Sequence, residues 1–137
     1  MYLTTQQFID RFGEAETVRM TDEEGDEQIG YVALEAAIAH ATERANAHIG
    51  TRYEVPLGTI PAIVRDIVAD LARARLYKRG APEGVAEAAK DAVRMLEQIA
   101  SGKLAVPGAA SLTAAPASSP VLISQGRRQY PDGLKDY

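Results

Sequence analysis

Two histidines, His40 and His48, are the side chains here best suited to metal or proton chemistry, and they stand more than two turns apart on one predicted helix. Glu43 lies one turn beyond His40 and offers a second ligand, but no third donor follows nearby. These histidines therefore read as surface or structural residues, not as a metal site. The chain has no cysteine, which excludes disulfides, thiolate metal sites and cysteine nucleophiles. There is no glycine-rich phosphate loop, no serine nucleophile elbow and no pair of acids flanked by a histidine. The expectation is a protein without cofactor, metal or catalytic activity.

Charge is the stronger signal. The chain carries a net −4, yet Glu14, Glu16, Asp22, Glu23, Glu24, Asp26 and Glu27 stand against Arg19 alone within one short stretch. That stretch holds about −6 and the rest of the chain is slightly positive, so a surface that coats nucleic acid throughout is not expected. The acids do not follow the alternating ligand pattern of a calcium loop, with its central glycine and closing glutamate. From Lys103 onward the balance turns mildly basic.

Positioning these groups falls to helices. A length of 137 residues fits one domain, and 46% hydrophobic residues with no Trp and two Phe imply a modest core packed through alanines. Thr4 or Thr5 caps a short first helix, whose Phe8, Ile9 and Phe12 share a face before Gly13. The acidic stretch, with Gly25 and Gly30 and little apolar periodicity, reads as a loop with at most one helical turn. A second helix is predicted from Tyr31 to Ile49, a third from Pro61 to Arg79, and a fourth from Pro82–Glu83 to Gly102. Between the second and third, Pro56, Gly58 and Pro61 impose an extended connection.

The prediction is thus mainly α, a small bundle of about four helices over residues 1–102, followed by a linker and an extended C-terminal arm over 103–137. The linker is rich in Ala, Ser, Pro and Gly through Pro120. Beyond it, Arg127, Arg128, Tyr130, Leu134 and Tyr137 mix basic and large apolar groups in a segment with no core of its own. The opening residues lack the pattern of a signal peptide and no apolar run reaches membrane-spanning length, so a soluble protein with no membrane partner is expected.

Several of these features together resemble one family. They are Tyr2, the helix from Ala33 to Gly50, the stretch Arg52-Tyr53-Glu54-Val55-Pro56-Leu57 with Ile60-Pro61 soon after, and Leu104 past the fourth helix. The closing Arg127-Arg128-Gln129-Tyr130, with Leu134 and Tyr137, extends the likeness to the tail. The chain resembles the head-tail adaptor proteins of Mu-like and related long-tailed phages. It departs from them at Ala89, where an aromatic residue is frequent, and in its long Ala/Ser/Pro linker.

The resemblance implies a structural protein of the virion neck, made in the host bacterial cytoplasm. It implies a homo-oligomeric ring of about twelve copies beneath the portal at the capsid vertex. Its partners would be the portal protein, a head-tail stopper or tail-terminator protein, and passing genomic DNA touched without sequence preference. Arg127, Arg128, Tyr130, Leu134 and Tyr137 would form the portal-binding arm. Arg52, Tyr53, Pro56, Leu57 and Pro61 would form a structural corner. The acids from Glu14 to Glu27 would face the DNA channel, or else a neighbouring subunit through cations such as Arg52 or Arg65.

The rival reading is a small helical DNA-binding regulator, with helices two and three as a helix-turn-helix. Their connection, Gly50 to Pro61, is much longer than the three or four residues that motif uses. Asp66 and Asp70 also offset the cations of the third helix.

Overall fold

Thr4 opens the first helix with reciprocal hydrogen bonds: its hydroxyl accepts from the Gln7 N–H at 3.0 Å, and the Gln7 side chain accepts from the Thr4 N–H at 3.0 Å. This helix, α1 (Thr5–Phe12), ends at Gly13, whose φ of +93° only glycine adopts without strain. The computed structural model describes residues 1–112, and its elements continue as α2 (Glu14–Thr21), α3 (Tyr31–Ile49), α4 (Ala62–Leu76) and α5 (Glu83–Ser101). The expected arm residues Arg127, Arg128, Tyr130, Leu134 and Tyr137 lie outside the described residues.

The chain is mainly helical, as expected, with one helix more. Half of the acidic stretch is α2 and not loop. Its buried face uses Thr17 and Thr21 beside Met20, and both hydroxyls donate to the carbonyl four residues back, Gly13 and Thr17, at 2.7 Å. Threonines buried in this way leave no apolar periodicity to read.

The central helix is α4, which packs along both α3 and α5, while those two meet each other less extensively. Alanines permit the close approach: Ala37, Ala41 and Ala45 on α3, Ala69 and Ala72 on α4, and Ala92 on α5 are buried. Phe8, Leu34, Ile38, Ile49, Ile67, Leu96 and Ile99 fill the space between. α4 stops at Leu76, short of the expected Arg79, and Gly80 with φ of +104° redirects the chain toward Pro82.

The body also runs past Gly102, the expected boundary. Val106 is buried, Leu104 and Ala109 pack on the core, and the chain near Ser111 pairs with that near Tyr53 in an antiparallel bridge. The Glu54 N–H donates to Ala110 O at 2.9 Å and the Leu112 N–H to Arg52 O at 3.0 Å. Residues 103–112 are therefore packed and paired against the body.

Candidate functional site

Antiparallel packing of α3, α4 and α5 gives the body two ends. The 19 residues of α3 separate them by about 28 Å at the helical rise of 1.5 Å per residue. One end carries the acidic loop before α3. The other carries the corner after it.

The corner is assembled around Tyr2. Its hydroxyl accepts from the buried Leu57 N–H at 2.9 Å and donates to the Asn46 side-chain oxygen, while the Tyr2 N–H donates to Thr42 Oγ1 at 3.3 Å. Leu57 is buried, Tyr53 and Pro61 are half-buried, and Arg52 and Pro56 are exposed. The Tyr53 hydroxyl accepts from the Val106 N–H at 3.3 Å. A Cβ built on Gly102, whose φ is +86°, would lie 2.9 Å from the Arg52 guanidinium carbon. Arg52 thus sits on the C-terminus of α5, where the helix dipole favours a cation. Leu112, the last described residue, is held at this same corner by its N–H to Arg52 O.

At the opposite end, the acids separate by role. Glu16 on α2 receives Arg73 Nε from α4 at 2.7 Å and the hydroxyl of Tyr77, just past α4, at 3.0 Å. Burial first, and then the hydrogen bond to Glu16, push the Tyr77 phenol above its ordinary pKa. Asp22 accepts the backbone N–H groups of Gly25 at 2.7 Å, Asp26 at 3.2 Å and Glu27 at 2.9 Å. Those bonds, that from Glu27 foremost, hold its carboxyl below the usual aspartate range. Glu23 pairs with Lys78 just past α4. Glu14, Glu24, Asp26 and Glu27 are exposed.

The loop closes on itself. The Gly30 N–H donates to Thr21 Oγ1 at 2.9 Å, and a Cβ on Gly30 would fall 2.5 Å from the Thr21 carbonyl oxygen. Among the described residues, the cations that pair with these acids are Arg73 and Lys78. Arg65 instead donates to Ile60 O at 3.0 Å, so neither it nor Arg52 is an intrachain partner of the loop. Arg73 and Lys78 were legible only as part of a mixed-charge helix end, because their partners lie more than fifty residues away.

Other charges brace the first helix. Arg11 pairs with Asp66 at 2.7 Å and reaches Asp70 at 3.8 Å. Burial raises the Asp70 carboxyl above its ordinary pKa, with Arg11 opposing and Asp66 adding to the shift. His40 is exposed and His48 half-buried, and no group of three metal-ligating side chains forms among the described residues. No described helix is long and apolar enough to cross a membrane.

The class of protein so defined is a small all-α bundle with its distinctive side chains at two opposite ends. A family model described as Bacteriophage Mu, Gp36 matches residues 2–124, nearly the whole length, and the chain belongs to that family. It is a Mu-like phage protein. It is also 30% identical over 73 residues to the Mu-like prophage FluMu protein gp36 of Haemophilus influenzae, a match covering 53% of this chain and 52% of the relative. The chain thus spans about half the length of the curated relative it matches.

Proposed function

We propose that this chain is a structural connector of the phage neck, assembling as a homo-oligomeric ring of about twelve copies that joins the portal at the capsid vertex to the tail or the next neck protein. The observation that carries the reading is the opposition of its two ends. The last described residues, Ser111 and Leu112, lie beside Arg52 and Tyr53, and the acidic loop lies at the other end of α3.

A connector needs this separation. One end engages the portal through the segment that follows Leu112, where Arg127, Arg128, Tyr130, Leu134 and Tyr137 supply basic and aromatic anchors. The other end is left for a head-tail stopper or tail-terminator protein. The acidic stretch from Glu14 to Glu27 faces either the channel, where carboxylates keep genomic DNA from adhering as it passes, or a neighbouring subunit. Repetition around a ring multiplies weak arm contacts through effective concentration.

The test is co-sedimentation with portal rings of the full chain and of a chain ending at Leu112. Retention of the full chain and loss of the shorter one is the expected result. Equal retention of both removes the arm from portal attachment. Retention of neither overturns the connector reading.

A further inference from the structure

Between α3 and α5, where the two helices part over α4, lies an open groove of about 770 Å³. Its floor is apolar, with Leu71 and Ala74 from α4 and Val93 from α5, and its walls carry Arg44, Arg75, Lys78, Lys90 and Arg94 against one acid, Glu97. Arg94 is answered by Asp91 on its own helix at 2.5 Å, but Arg44 and Arg75 make no ion pair among the described residues. A groove of this size exceeds what an ion or a few waters fill. Its unanswered cations call for an acidic occupant, and its floor calls for an apolar one.

The chain itself displays such a surface. Glu24, Asp26 and Glu27 are exposed on the closed loop, and directly after it Val32 is 85% exposed and Tyr31 is 51% exposed at the start of α3. Acids beside protruding apolar side chains match cations around an apolar floor.

We propose that the groove is the socket for a second copy of this chain, which inserts its Asp22–Glu27 loop and the adjoining Tyr31 and Val32. The inference rests on the ring reading and names its subunit interface. Contact between two different surfaces of identical chains is heterologous, the kind that closes into rings. Lys78 stands where loop and groove adjoin within one chain, and its pairing with Glu23 fixes the loop while leaving the outer carboxylates free for the neighbour.

The test is a charge exchange in the full-length protein, read by sedimentation velocity with circular dichroism as the control for folding. Arg44→Glu with Arg75→Glu gives a chain acidic on both surfaces. Glu24→Lys with Asp26→Lys gives one basic on both. Each alone is expected to need at least tenfold more protein than the parent for half-assembly, and an equimolar mixture of the two is expected to assemble again. Val32→Ser, which changes no charge, is expected to weaken the parent's assembly as well.

Raising salt from about 0.1 to 1 M, which shortens the screening length from about 10 to 3 Å, is expected to weaken the parent's assembly. Folded variants that each assemble like the parent overturn this interface and leave the ring reading intact, as does a mixture that fails to recover. A groove variant that assembles normally but loses retention on duplex DNA assigns the cations to phosphate and overturns the proposal. A parent that forms no oligomer, alone or on portal rings, overturns both the interface and the ring.

Discussion

Arg73 on α4 holds Glu16 on α2 through Nε at 2.7 Å and a second guanidinium nitrogen at 2.6 Å, with the guanidinium carbon 4.6 Å from the centre of the Phe12 ring. One arginine thereby ties α2 and the end of α1 to the central helix. Both partners are largely shielded, with side-chain exposures of 25% and 15%, so this contact is worth more than a surface pair.

Glu16→Ala is expected to cost about 1–3 kcal/mol, because it strands Arg73 and deprives the Tyr77 hydroxyl of its acceptor. Thermal unfolding should fall by roughly 4–8 °C for each kcal/mol lost in a body of about this size. Glu24→Ala, on the exposed loop, should stay within about 0.5 kcal/mol of the parent. Equal effects of the two substitutions would refute this division of roles among the acids.

Tyr2→Phe keeps the ring packed and removes one oxygen. The buried Leu57 N–H then loses its acceptor, at a cost of about 1–3 kcal/mol. Denaturant unfolding, with an unchanged dependence on denaturant, is the check. A midpoint equal to the parent's would mean that water replaces the hydroxyl.

A chain ending at Leu112 should unfold cooperatively with the helicity of the body intact. One ending at Gly102 should be less stable by at least about 1.5–3 kcal/mol, the worth of burying a side chain the size of Val106. Circular dichroism on heating distinguishes them. Identical melting of the two would show that residues 103–112 add nothing to the fold.

Two aspartates predict opposite responses to pH. The depressed Asp22 pKa means that its carboxylate stabilises the loop above the ordinary aspartate value, and that this contribution is lost as pH falls through the folded value. Hydrogen exchange at Gly25, Asp26 and Glu27, corrected for intrinsic rates, should show protection fading only below about pH 4. The raised Asp70 pKa means that its contribution is greatest below the ordinary value and is lost as pH rises through the folded one. Asp70→Asn should therefore raise the melting temperature at pH 7, while a marked fall would show that Arg11 outweighs burial at this site.

Much of this architecture is legible in the sequence where burial follows helical spacing. Leu34, Ile38, Ala41 and Ala45 mark α3, and Val85, Ala92, Leu96 and Ile99 mark α5. α2 escapes because Thr17 and Thr21 take positions where apolar residues would have announced it. The stretch after Gly102 escapes for a different reason: its order comes from pairing with residues more than fifty positions earlier, and Ala, Pro and Gly give no local sign of that. Of the expected corner residues, Leu57 is buried, Tyr53 and Pro61 are half-buried, and Arg52 and Pro56 are exposed. The two uses of the acidic stretch, Glu16 as a brace and Glu24 to Glu27 as an outward surface, appear only when α4 and the turn after it supply Arg73 and Lys78.

The neck formed by Thr21 and Gly30 isolates what lies between them. With the two strands of chain joined at that point, the exposed residues 24–28 can change in size or sign without altering how α2 enters α3, while Asp22 holds the loop's backbone, Glu23 pairs with Lys78 and Ile29 packs on the core. The bundle is then a fixed chassis and the loop an exchangeable fitting. Descendants that met a new neighbour would need to rewrite only those exposed positions and the adjoining 31 and 32, provided that a hydroxyl remained at 21 and a glycine at 30.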